Sequence, residues 1–138
     1  MVLSLGSNQI IVTLTELVTL ENPEFVLIIV NDSSNKKVAC KLGTELSQFT
    51  GRYNKFNLTV KTDPNPLSAE ISLVNPGDHK YYIYEIEDAD SFDFENVNSL
   101  DLDTMDGQVE RGICKFTQTP PVVKYYKNNK ESVKTYGS

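Results

Sequence analysis

One histidine, two cysteines and a crowd of carboxylates are the raw material from which this chain would have to build a reactive site. His79 stands between Asp78 and Lys80 beside a turn, with no second His or Cys at ligand spacing, so it reads as a solvent-exposed turn residue. Cys40 and Cys114 are not spaced as a metal site or a redox motif. Each lies on an apolar strand face, Cys40 with Val38 and Leu42 and Cys114 with Phe116, so both read as buried free thiols. The stretch "DLDTMDG", residues 101–107, has the alternating oxygens of a calcium loop. An EF-hand frame starting at Asp101 puts Met105 at a ligand position, Asp106 where glycine is needed and Gly112 in place of the bidentate Glu. It is better read as a solvated acidic loop, with no metal.

Other chemistries fare no better. There is no G-x-S-x-G elbow, phosphate-cradling glycine loop or His-Glu zinc helix. A glycosidase needs a carboxylate pair, but so many acids make a pair by chance. Tyr81, Tyr82, Tyr84, Tyr125 and Tyr126 could form a sugar platform. Strand alternation splits the first three between two faces, and the chain has no Trp. The expectation is a non-enzyme with no catalytic residues, no cofactor and no small-molecule substrate.

Charge narrows the partners. The formal net charge of −6 argues against nucleic-acid binding, which needs a cationic face. The longest apolar run, "FVLIIV", is far too short to span a membrane, and "MVLSLGSNQ" has no basic residues leading into a long apolar segment. Synthesis in a cytoplasm is expected. Residues 81–110 hold no Lys or Arg but contain Glu85, Glu87, Asp88, Asp90, Asp93, Glu95, Asp101, Asp103, Asp106 and Glu110. Beyond them come Arg111, Lys115, Lys124, Lys127, Lys130 and Lys134 against Glu131 alone. An acidic surface on one copy meeting a basic C-terminus on another is the pattern this suggests.

The elements that hold these residues are strands. "QIIVTLTEL" alternates, "FVLIIV" is apolar on both faces and so belongs in a sheet covered on both sides, and "KKVACKL" returns from the "NDSSN" turn as a hairpin arm. "NKFNLTV" turns Phe56, Leu58 and Val60 to one face; "AEISLV" alternates again after the break at "DPNP". "NPGD" is a turn with Pro76 presetting the backbone and Gly77 free to take positive φ, and it delivers "KYYIYEIE". The acidic stretch reads as a long excursion, with a short helix at 99–106 its one candidate, before "QVERGICKF" closes the domain. Short strands at this spacing predict an all-β antiparallel sandwich, immunoglobulin-like or jelly-roll-like, over residues 1–118. Residues 119–138, opened by two prolines and basic, form an extended C-terminal arm. Val122, Val123, Lys124, Tyr125, Tyr126, Lys127 and Lys130 of the arm, with Glu85, Glu87, Asp88, Asp90 and Asp93, are the expected partner-contact residues.

The ordered series "VTLTEL…NPEFVLIIVNDSSNKKVACKL…RYNKFNLTV…NPGDHKYYIYEIE…VERGICKF" resembles small β-sandwich virion proteins of tailed phages, most of all the auxiliary capsid (head decoration) proteins of crAss-like gut phages. The matching positions are Asn31 and Asp32; Arg52, Tyr53, Asn54 and Phe56; Tyr82, Ile83, Tyr84 and Glu85; and Val109, Glu110 and Gly112. The likeness covers residues 12–116; the arm and the long acidic insertion depart from it. It implies a structural protein on the virion surface that binds the major capsid protein lattice, or other copies of itself, and stabilises the head. A tail, connector or head-fibre component and a glycan-binding adhesion module are the alternatives.

Overall fold

The computed structural model describes residues 1–48 and 51–117. The arm, with Val122, Val123, Lys124, Tyr125, Tyr126, Lys127 and Lys130, lies outside the described residues. Eight strands appear in chain order: β1 (Val2–Ser4), β2 (Gly6–Val12), β3 (Glu24–Asn31), β4 (Lys37–Lys41), β5 (Asn54–Val60), β6 (Glu70–Ile71), β7 (Gly77–Ile86) and β8 (Gln108–Thr117). They form a five-stranded sheet, β1-β8-β7-β3-β4, and a three-stranded sheet, β2-β5-β6. The fold is an all-β sandwich. Most neighbours are antiparallel, but β1 runs parallel to β8 and β6 parallel to β5.

The core between the sheets follows from period-two alternation. Phe56, Leu58 and Val60 of β5 face Leu27 and Ile29 of β3, Ile83 of β7 and Phe116 of β8, and all are at most 1% exposed. Cys40 and Cys114 are free and buried in this layer. Burial pushes the Cys114 thiol up to about 11, and Cys40 higher still, so both stay protonated and inert at neutral pH. The doubly apolar β3 lies between β7 and β4 with residues 26–30 buried on both faces, as its composition requires.

Side-chain hydrogen bonds fix the corners. Asn8 accepts from the Ser4 N–H at 2.9 Å and donates to the Ser4 carbonyl at 2.8 Å, pinning the step from β1 into β2 across Gly6, which takes φ +92°. Buried Asn54 accepts from the Leu14 N–H at 2.8 Å and closes the end of β2. Asn31 accepts from the N–H groups of Ser33 and Ser34, forming the β3–β4 turn with Asn35 left-handed at φ 58°. The turn before β7 has Gly77 at φ +120°.

"AEISLV" gives less strand than its alternation predicts. Only Glu70–Ile71 pairs, because the chain must return through the turn Pro66–Ser68 and left-handed Ala69 to meet β5 in parallel. The buried side of the pattern survives in Ile71 and Leu73.

The acidic excursion is the largest departure from expectation. Residues 87–106 fold back over the outer face of the five-stranded sheet and build a second core there. Ala89 and Val97, with partly buried Phe92, Phe94, Leu100, Leu102 and Met105, close over Val26, Ile28, Val30, Ala39 and Tyr84. Two 3-10 segments, Ala89–Ser91 and Phe94–Ser99, shape it, whereas the short helix expected at 99–106 is replaced by turns. An apolar residue every two to four positions among the acids anchors the segment while the carboxylates stay in water.

Candidate functional site

Residues that could do chemistry are placed mainly by the inward face of β7, where positions 79, 81, 83 and 85 point between the sheets. His79 is 2% exposed and not a turn residue, which corrects the sequence reading. The strand starts at Gly77 instead of Lys80, and this carries the ring inside. There Nδ1 donates to the Gly77 carbonyl at 3.1 Å, Nε2 faces the Asn31 amide at 3.3 Å, and the ring meets Phe116 edge-on. With both nitrogens engaged, the imidazole is a packing and turn-fixing group.

Glu85 is likewise no contact residue. It is 6% exposed, and its carboxylate accepts hydrogen bonds from the Thr19 N–H and hydroxyl and from the Leu20 N–H, at 2.9–3.0 Å. Burial raises its pKa, but the bonds from Leu20 and Thr19 outweigh that and leave it lowered. Glu85 is therefore an internal tether that holds the β2–β3 connection to the end of β7. Its backbone N–H donates to the Gly107 carbonyl at 2.8 Å. A Cβ at Gly107, where φ is +95°, would lie 2.7 Å from the Glu85 carbonyl oxygen, so this position needs glycine.

Tyr81 and Tyr84 are equally engaged. Tyr81 lies over Gly112, donates to Glu110 Oε2 at 3.1 Å, and is pushed up to about 12 by burial and the adjacent Glu110. Tyr84 is fully buried and donates to the Leu102 carbonyl. Neither ring is available to stack on a sugar; Tyr82 is partly buried, and Tyr125 and Tyr126 lie beyond the described residues.

The remaining acidic candidates are where a contact surface needs them. Glu87, Asp88, Asp90 and Asp93 are exposed on the layer that covers the sheet. Asp88 caps the first 3-10 segment through the Asp90 N–H, Asp90 lies 3.5 Å from Lys41 Nζ, and Asp93 accepts from Asn96 at 2.6 Å. Four ties that sequence reading missed fasten the layer to the sheet. Besides Tyr84, Glu24 accepts from the Ala89 N–H at 2.6 Å, Asn98 accepts from the Lys37 N–H at 2.6 Å, and Lys41 bridges Glu24 and Asp90. Only the apolar spacing within the acidic run could have signalled them.

Among the described residues no group of three His, Cys, Asp or Glu side chains converges to hold a metal ion, and no helix is long and apolar enough to cross a membrane. The depressions in the surface are open. One of about 410 Å³ is lined by Lys80, Tyr81, Tyr82, Arg111, Gly112 and Ile113; another of about 390 Å³ lies around Phe25, Lys41 and Phe56. Neither brings a nucleophile to a base. Comparison with protein-family models, curated proteins and solved structures finds no match to this chain.

Proposed function

We propose that the protein is a structural virion component, an auxiliary capsid protein that binds the lattice of the major capsid protein and stabilises the head. One observation carries this reading. The groups that could do chemistry (His79, Glu85, Cys40, Cys114, Tyr81 and Tyr84) are buried inside the fold, while Glu87, Asp88, Asp90 and Asp93 are displayed on a layer built over the sheet. Such an arrangement suits contact with another surface better than turnover of a substrate. The resemblance of the ordered strand motifs to phage head decoration proteins supports the same reading.

The mechanism is linkage. Contacts that bridge neighbouring capsomers exist only in the assembled shell, so they favour that state over the dissociated one. Many weak contacts on a lattice give tight attachment without a deep pocket.

Quantifying the chain against the major capsid protein in purified particles tests the reading. A decoration protein is present in numbers comparable to the capsid protein and raises the temperature at which heads open. A few copies per particle would assign it to the tail or connector instead. Saturable binding on a glycan array, lost on Tyr82→Ala, would favour an adhesion module.

A further inference from the structure

Among the described residues, the outward face of the five-stranded sheet is covered over only part of its width. The acidic layer lies on β4, β3 and the far end of β7, where its apolar residues close the second core. Among the described residues, nothing in the second core packs on β8 or β1. Ile113 is 57% and Val2 63% exposed, and exposed Arg111 and Lys115 flank Ile113 on the same face of β8. Lys80 joins them from β7, since the register sets Lys80 opposite Ile113 and Tyr82 opposite Arg111. Asp78, opposite Lys115, is the carboxylate of this strip. Among the described residues none of the three cations is within ion-pair distance of an acid.

The face is therefore a step, with a raised acidic shelf beside a low strip that is basic and apolar. The 410 Å³ depression lies in the strip. A cleft of about 250 Å³ bounded by Lys80, Tyr82, Leu100, Asp101 and Asp103 marks the rise between the two levels. Shelf and strip point the same way, so within one copy they meet only along the rise, where Lys80 and Lys37 line the cleft with Asp32, Asp101 and Asp103.

We infer that a second copy of this chain covers the strip, in a twofold pair in which each shelf rests in the other copy's strip. An axis along the rise places acid over base twice, and the two height differences interlock. Charge complementarity selects this occupant: Asp103 and Asp106 on the shelf are exposed carboxylates, and the strip supplies Lys80, Arg111 and Lys115. β7 and β8 over five to seven residues each, with the three residues of β1, give a strip of roughly 240 Å², and shelf plus strip therefore bury about 500 Å² per copy. That is near the lower limit for a specific interface, so the pair is reversible and concentration-dependent.

Sedimentation velocity on the full chain tests it, with two double variants: strip reversal (Lys80→Glu with Arg111→Glu) and shelf reversal (Asp103→Lys with Asp106→Lys). The native chain should dimerise at low salt and dissociate as ionic strength rises to about 0.5 M. Each reversal alone should weaken dimerisation by roughly tenfold or more, and an equimolar mixture of the two should restore it. Ile113→Ser, which keeps every charge, gives a second reading of the strip should a reversal fail to fold by circular dichroism. A native chain that stays monomeric at high concentration and low salt would overturn the inference, as would folded reversals that dimerise like the native chain or fail to restore each other. The measurement uses the purified chain alone, so its failure leaves capsid attachment standing, and a low copy number on particles would leave the pair standing.

Discussion

Replacing Glu85 by glutamine keeps the side chain's shape but sets an NH2 group where an acceptor is needed, facing the Thr19 and Leu20 donors. A buried donor left without a partner costs about 1–3 kcal/mol, and urea denaturation of Glu85→Gln should show a loss in that range. The same carboxylate sets an acid limit. Its native pKa lies below its ordinary value, so the tether's contribution is fully present above the ordinary carboxylate range and is lost as pH falls through the lowered native value. Glu24 and Glu45 are lowered too and act in the same direction. Melting temperature should therefore fall steeply at acidic pH in the native chain and less steeply in Glu85→Gln. Gly107→Ala adds left-handed strain to a clash with the Glu85 backbone and should cost about 1–3 kcal/mol or more by the same measurement.

The acidic layer is the element whose behaviour departs most from the strands beneath it. It is built from short 3-10 segments and turns, held by side-chain ties and a small apolar contact with the sheet, so it should open before the sandwich does. Hydrogen exchange should show residues 87–106 exchanging ahead of β3 and β7. Val97→Asp, which places a charge in the second core, should speed that exchange further while the strand amides stay protected. This element also marks the limit of what the sequence reveals. The strands were legible because apolar patterning is a local property: β3, β5 and β8 lie where their patterns put them, and β7 does so except at its start. The layer was not, because Phe92, Phe94, Val97, Leu100 and Leu102 follow neither a helical nor a strand period, and their burial depends on a sheet face formed elsewhere. For His79 and Glu85, an error of three residues in where β7 begins was enough to misplace the first, and the second needed donors some 65 positions away. β1 is too short, and its parallel pairing too distant, to leave a local signal.

For the molecule as a whole, the functional claim rests on exposed charge, and exposed charge is screened by salt. Occupancy of the chain on purified heads should fall as ionic strength rises. An attachment indifferent to salt would shift the contact to apolar surface. Removing residues 119–138 should leave a folded sandwich with a little-changed melting temperature, because all eight described strands lie within residues 1–117. If the arm contributes to attachment, the same truncation lowers occupancy; full occupancy would confine attachment to the faces of the sandwich.

The parallel pairing of β1 with β8 has a consequence for the order of assembly. Met1 and Ile113, 112 positions apart, are joined by a hydrogen bond, so β1 must wait for β8 to be made before it finds its neighbour. Until then Leu3 has no interior to enter, and the edge of β8 is unprotected when it emerges. Closure of the sheet is thus the last pairing of the eight strands, and a bulky group placed ahead of β1 would delay that seam more than the rest of folding.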